Sequence, residues 1–290
     1  MKYKATLFLT GGLGNQFYQY CALDMISKKL KYNPEIDLQN FNNNKNYKKL
    51  GIFKLFNNLN YDGIKNFNTK NYRNFLLKVN NKFPKISNLI FDKKFLNNKK
   101  DFEIFLEQNI NKNIYINGYF QNHNIISNSN FGKYLKKRYK ERNSHQQIGI
   151  HIRLGDYLLK PYSDIYWKFN EDYLKESFEI IKENYGNKFI KKVNIFSDSI
   201  EIAVLMAKKV LPSYVEVVPS KEKSVINDLF ALSENKIKIL SNSSFSLMSY
   251  YMNIGELTIC PKRWFKNSQN TPDSLFPPNN YNGKFIKFYN

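Results

Sequence analysis

The chain holds little that could replace packing with covalent or metal cross-links. Of its 290 residues only Cys21 and Cys260 are cysteines. Two thiols without CxxC spacing support neither a zinc site nor a disulfide scaffold, and they point to a reducing, cytosolic setting. There are three histidines, and no cluster of His, Cys and carboxylates has metal-ligand spacing, so no metal is expected. Long apolar runs are missing too. The opening MKYKATLFLTGGLGNQ has a basic start, but its apolar run of about six residues is too short for a signal peptide. The best spanning candidate, Ser243 to Cys260, carries several serines, Asn253 and Glu256, and does not read as a membrane span.

Acidic residues are scarce beside basic ones, 24 against 45, for a formal charge of +21. Such an excess implies polyanionic company: nucleic acid, an anionic membrane surface or phosphorylated small molecules. Many lysines stand among asparagines, as in NFNNNKNYKK from Asn40 to Lys49. A·T-biased codon usage produces that pattern with no function behind it, so charge alone does not choose among partners. A hydrophobic share of 42%, with 24 Phe and 21 Tyr, excludes a disordered chain. The length suggests two domains or one large α/β domain.

Lys4 to Thr10 reads as a buried strand closed by Gly11 and Gly12, with a helix from Asn15 that carries Phe17, Tyr20, Cys21 and Met25 on one face. A short strand is expected at Pro34 to Leu38. Phe41 to Asn113 is basic and Asn-rich, read as short helices and long loops. Asn113 to Asn117 alternates like a strand, followed by a helix to about Tyr139 and the polar link KERNSHQQ, a domain boundary. The second half then alternates strand and helix repeatedly, which means a parallel sheet covered on both faces. The tail from Pro261, rich in Pro and Asn, is expected to pack back over the body.

Polar turns follow four of these strands. HIRLGDY, His151 to Tyr157, is the most informative. Side chains two apart on a strand share a face, so His151 and Arg153 are expected to point the same way, beyond the carboxyl end where α/β sheets bind ligands. An arginine there can hold a phosphate through two hydrogen bonds, with Asp156 beside it. GGLGNQ, Gly11 to Gln16, joins strand to helix and could cradle a phosphate or be an ordinary tight turn. It is not a full GxGxxG, because Phe17 occupies the third glycine position, although Asp37 lies near the distance of a ribose-binding acid. In FSDS, Asp198 could bind a ribose or sugar hydroxyl or cap the next helix, and Ser199 rules out a DxD metal motif. In SNSSFS, Ser243 and Ser244 could cap a helix or bind phosphate oxygens. Asp228 faces a base or sugar at the sheet rim, or is plain surface charge. His123 and His145 read as surface residues. Together the turns fit a nucleoside-diphosphate ligand better than nucleic acid.

Taken in order, GGLGNQFYQY, YINGYFQN, HIRLGDY, FSDS, DLFALSENKIKILSNSSFS and ICPKRWF resemble the α-1,2-fucosyltransferases of glycosyltransferase family 11, from about Leu9 to Phe265. The resemblance implies an α/β, GT-B-like fold of two Rossmann-type domains with the donor site in the cleft. Residues 1–143 would form the acceptor-side domain, and 144–290 the nucleotide-sugar-binding domain. It implies a GDP-fucose donor, a galactose-terminated glycan acceptor and no essential metal. Residue by residue, it assigns Arg153 to the GDP diphosphate, with His151 supporting it or lining the donor pocket. Asn15 and Gly14 fall on the first loop near the diphosphate or fucose, and Asp198, Asp228, Ser243, Ser244 and Ser246 fall near the nucleotide. Asp156 matches an acid of the family motif, either the general base or a lock on its loop. Many members have a second arginine at Leu154, an acid at Ser199 and aromatics at Leu247 and Met248; the side chain at 154 is expected to face the opposite side of the strand.

The expected reaction is inverting transfer from GDP-β-L-fucose to the 2-hydroxyl of a terminal galactoside, in O-antigen or capsule synthesis. With acceptors carried on lipid diphosphates, the basic surface would touch an anionic cytoplasmic membrane. The competing readings are a transferase for another GDP-sugar or acceptor, and a basic nucleic-acid-binding protein.

Overall fold

The computed structural model describes residues 2–41, 51–59, 61–64, 67–68, 89–91, 107, 111–139, 146–186, 189–222, 224–253, 255–267, 271, 273–277 and 285–288. Most of the 41–113 region, the 143/144 boundary with most of its polar link, and His145 lie outside these residues. The chain divides into two compact units, Met1–Tyr134 and Leu135–Asn290.

In the first unit, β1 (Lys4–Phe8), β2 (Asn33–Asp37), β3 (Phe67–Asn68), β4 (Leu89–Phe91) and β5 (Ile114–Asn117) form a parallel sheet in the order β3-β2-β1-β5-β4. After its first residue β1 is wholly buried, as expected of a central parallel strand covered on both faces. The helix after β1, α1 (Leu13–Leu30), begins two residues earlier than the sequence pattern indicates, so Gly14 and Asn15 lie in its first turn. It is buried around most of its circumference, through Phe17, Tyr18, Leu23 and Ile26 among others, which is why no single apolar stripe describes it. Helix α2 (Ile52–Leu59) follows. The single helix expected after β5 is two, α3 (His123–Asn128) and α4 (Asn130–Tyr139), the latter counted with the second unit from Leu135 on. They break at Ser129, whose hydroxyl bonds the Ile126 carbonyl, and the Asp24 carboxylate accepts the N–H groups of Asn130 and Phe131 that open α4.

In the second unit, β6 (Gln146–Ile152), β7 (Lys192–Ser197), β8 (Glu216–Pro219), β9 (Asn235–Ile239), β10 (Leu257–Pro261) and β11 (Phe285–Phe288) make a second parallel sheet, ordered β11-β10-β9-β6-β7-β8. Numbered within the unit this is 6-5-4-1-2-3, the doubly wound Rossmann order. Between the strands run α5 (Tyr162–Ile165), α6 (Glu171–Tyr185), α7 (Ile200–Val210), α8 (Val225–Ser233) and α9 (Ser244–Met252). Asn170 and Ser224 cap α6 and α8 through their side chains. The core joins Ile148, Ile150, Ile152 and Leu154 to Val193, Ile195, Ile237 and Ile239. Leu154 is therefore a core residue on the face opposite His151. The tail does more than pack back, since β11 pairs with β10 as an edge strand, from Thr258↔Phe285 to Pro261↔Phe288. The stretch Ser243 to Cys260 is α9 and β10. Among the described residues no helix is long and apolar enough to cross a membrane. Two Rossmann-type parallel α/β units are the composition expected of a GT-B-like chain.

Candidate functional site

In a doubly wound sheet the order of strands reverses at one place, and the loops there diverge and leave a crevice. In the second unit that place lies between β6 and β9, which pair from Gln146↔Asn235 to Ile150↔Ile239. HIRLGDY leaves one side of it and SNSSFS the other, while FSDS leaves β7, the next strand over. Three of the four polar turns thus share one edge of one sheet. The fourth, GGLGNQ, belongs to the first unit.

β6 ends at Ile152, so Arg153 sits just past the strand, and Gly155–Leu158 form a short 3-10 turn. Arg153 is held by two carboxylates. Its Nη2 donates to Asp156 Oδ1 at 2.6 Å, and its Nη1 lies 2.7 Å from Asp198 Oδ2. All three side chains are partly exposed, so solvent screens these pairs to about 0–1 kcal/mol each, and their effect is orientation. Asp198 also accepts the Leu154 N–H at 2.9 Å, tying the loop after β7 to the loop after β6. It does not cap α7, whose N-cap is Ser199. The guanidinium further lies over the Tyr157 ring, 5.5 Å from its centroid. Tyr157 stacks on Tyr166 at 4.3 Å and donates its hydroxyl to the Asn242 carbonyl. Burial pushes that phenol well above its ordinary range, so it stays a donor.

His151 is buried on the crevice side of β6. Its Nδ1 lies 2.8 Å from Ser241 Oγ and 2.6 Å from Ser246 Oγ, and the two hydroxyls are 3.2 Å apart. Desolvation, helped by the Arg153 charge, pushes the imidazole down to about 3, so it is neutral near pH 7. Asn242 fixes the serine turn by donating to the Trp167 and Trp264 carbonyls, both at 2.8 Å. Ser243 occupies the N-cap of α9 with extended backbone angles, yet its side chain makes no capping bond. Ser244 opens the helix, and Ser246, in its first turn, joins Ser241 at His151. Asp228, in the first turn of α8, accepts from Ser220 at 2.6 Å and makes no bond to the Arg153 cluster. Burial raises its carboxyl and the Ser220 hydroxyl partly offsets this.

In the first unit, Gly11 has φ +77, and a Cβ there would sit 2.9 Å from Asn15 Nδ2, so the turn takes glycine. Gln16 donates to the Gly11 carbonyl and accepts the Gly51 and Ile52 N–H groups, binding the turn to α2. Gly14 is buried in the first turn of α1. Asn15 Oδ1 accepts from Gln121 at 2.7 Å. This pair spans the ends of β1 and β5, where the order of the first sheet reverses. Asp37, buried at the end of β2, accepts the Gln39 N–H.

The structure thus links His151, Arg153, Asp156, Asp198 and Ser246 around one switch point; Asp228 bonds Ser220 instead. Sequence reasoning missed Ser241, Tyr157 and Gln121 as members of these rims. The only signal was position, since each lies inside a motif one or two places from a residue singled out. Leu247 and Met248 are fully buried, so they shape packing beneath the rim. Among the described residues no group of three His, Cys, Asp or Glu is placed to hold a metal ion.

The family model described as glycosyl transferase family 11 matches residues 1–282. An alpha-1,2-colitosyltransferase of Escherichia coli is 26% identical over 278 residues, covering 90% of this chain and 92% of that protein. The O-antigen biosynthesis glycosyltransferase WbnK of Escherichia coli is 26% identical over 287 residues, covering 89% and 93%. Among solved structures, a glycosyl transferase family 9 protein from Veillonella parvula aligns with a TM-score of 0.46 at 9% identity, covering 100% of this chain and 87% of that one.

Proposed function

This chain belongs to glycosyl transferase family 11, and from that premise we propose that it is an inverting α-1,2-fucosyltransferase. It moves L-fucose from GDP-β-L-fucose to the 2-hydroxyl of a terminal galactoside, in bacterial surface-glycan synthesis. The observation that carries the reading is Arg153 at the switch point of a Rossmann-ordered sheet, aimed by carboxylates from two loops. That is where a nucleoside diphosphate belongs and the side chain that suits it.

In this mechanism the acceptor oxygen attacks the anomeric carbon while the bond from fucose to the diphosphate breaks, through an oxocarbenium-like state. The acceptor proton goes to a base and the bonding pair goes to the leaving diphosphate. Arg153, the N-terminus of α9 and the Ser243 and Ser244 hydroxyls meet that developing charge. In the same scheme Asp228 faces the nucleoside. Asp156 is the base candidate, and among the described residues only its Oδ1 is engaged, by Arg153. No metal takes part in this scheme, so turnover is expected to survive chelation.

A second reading keeps the chemistry and changes the sugar, because one relative is named an alpha-1,2-colitosyltransferase. Incubation of the protein with GDP- and UDP-sugars, using lactose and related galactosides as acceptors, separates the two. GDP-fucose turnover giving an α-1,2 product supports the first; turnover of another GDP-sugar alone supports the second; turnover of a UDP-sugar alone removes both.

We place the protein in the cytoplasm at the inner face of the membrane, where lipid-diphosphate-linked glycans are met. The segment directly after the Arg153 loop exposes Leu158, Leu159, Tyr162 and Ile165, from 44% to 65%. Beside a formal charge of +21, an apolar projection of this kind suits an anionic bilayer.

A further inference from the structure

The bonds around His151 decide which of its nitrogens carries the proton. Nδ1, Ser241 Oγ and Ser246 Oγ form a closed triangle with sides of 2.8, 2.6 and 3.2 Å. All three residues are buried, both serines completely. Among the described residues neither hydroxyl has another acceptor. A neutral imidazole has one N–H and one lone pair. If Nδ1 keeps the lone pair, the triangle contains two donors and both are satisfied: Ser246 O–H to Nδ1, and Ser241 O–H to Ser246 Oγ. If Nδ1 carries the proton, three donors share two oxygens and one buried donor goes unpaired, the arrangement that buried polar groups avoid. The ring is neutral, because burial and the Arg153 charge both oppose the imidazolium form.

We infer that Ser241 and Ser246 are positioning residues that lock His151 as its Nε2–H tautomer, making it a neutral hydrogen-bond donor to a phosphate oxygen of the nucleotide donor. Nε2 bonds to none of the described residues and is not among the buried polar atoms shut off without a partner. It lies on the strand face that Arg153 continues, at the reversal between β6 and β9. An Nε2 that already holds its proton cannot accept one from the acceptor hydroxyl. His151 is thereby removed as the general base, and the Arg153 charge gains an uncharged partner for the diphosphate. The choice of ligand rests on the donor site proposed above; the tautomer does not.

Nitrogen-15 NMR of the histidine-labelled protein tests the tautomer without turnover, with the His151 signals identified by their loss in His151→Gln. The inference predicts a pyridine-type Nδ1 and a pyrrole-type Nε2, and a mixture of both tautomers in the Ser241→Ala, Ser246→Ala double variant. A pyrrole-type Nδ1 in the wild type overturns it. Titration with GDP then reads the ligand. The Nε2–H signal is expected to shift on binding, and saturable binding that leaves it unmoved overturns the assigned role. If GDP does not bind at all, the donor-site reading fails while the nitrogen shifts still decide the tautomer. In turnover, His151→Gln presents an amide N–H near the place of Nε2 and should restore at least tenfold over His151→Asn, whose amide sits nearer Nδ1. Equal loss in both variants would contradict a donor at Nε2, and a folded Ser246→Thr, which keeps the hydroxyl, should retain the wild-type tautomer.

Discussion

Gly155 lies so close to the Asp198 carboxylate that a methyl group on its α-carbon would sit 2.3 Å from Oδ2 and 2.9 Å from Cγ. Asp198 is the residue that holds both the Arg153 guanidinium and the Leu154 N–H. The glycine of HIRLGDY therefore makes room for the acid of FSDS, and the two motifs form one device for aiming an arginine. Gly155→Ala must push Asp198 away. We expect it to raise the KM for the sugar nucleotide at least tenfold and to cost about 1–3 kcal/mol of stability, as overpacking does. Steady-state kinetics and urea unfolding measure both, and an unchanged KM would show that Asp198 does not aim Arg153.

Asp156 offers a sharper division. As the base it acts only in the transition state, so Asp156→Asn should lower kcat by about 10²–10⁴-fold with KM little changed. As a lock on the Arg153 loop it should mainly raise the donor KM, because the guanidinium loses its 2.6 Å partner. The split between kcat and KM tells the roles apart, and the base assignment predicts the first pattern.

His151 makes stability fall on acidification. Its folded value is pushed down to about 3 from 6.5, so the unfolded chain takes up the proton first as pH falls. The contribution is complete above about pH 6.5 and is lost progressively toward pH 3, with a slope approaching about 1.4 kcal/mol per pH unit. The groups facing the ring are Ser241, Ser246, Phe245 and the cationic Arg153, none of which favours the imidazolium. Comparing urea midpoints near pH 7 and pH 5, wild type should lose more stability than His151→Asn. Equal losses would mean that the imidazole charges in the folded state.

The exposed Leu158 to Ile165 segment predicts a separation of binding from chemistry. Leu159→Asp with Tyr162→Asp should abolish co-sedimentation with anionic vesicles and leave turnover on a soluble galactoside unchanged. Wild-type protein that stays in the supernatant with such vesicles would contradict the membrane placement.

The architecture was largely legible where strands are buried on both faces. IGIHI, KVNIF and LTIC are short apolar runs bounded by turns and caps, and each lies within a strand of the second sheet. What escaped depends on distant partners. β11 exists because Phe285 to Phe288 find the edge of β10, and nothing local in a Pro- and Asn-rich tail signals that pairing. The early start of α1 is similar, since its first turn is buried and held by Gln16 across 35 residues. At the site, residue identities were readable but pairings were not. Arg153 with Asp198, and His151 with Ser241, join loops brought together only by the strand order β9-β6-β7. Leu154 shows the converse: it departs from many relatives, yet strand alternation alone places it in the core.

The central claim is that Arg153 grips the diphosphate of a GDP-sugar. GDP release from GDP-fucose, measured with lactose and related galactosides, should proceed in the wild type and fall by about 10²–10³-fold in a folded Arg153→Ala variant. Turnover in that variant equal to wild type would contradict the claim.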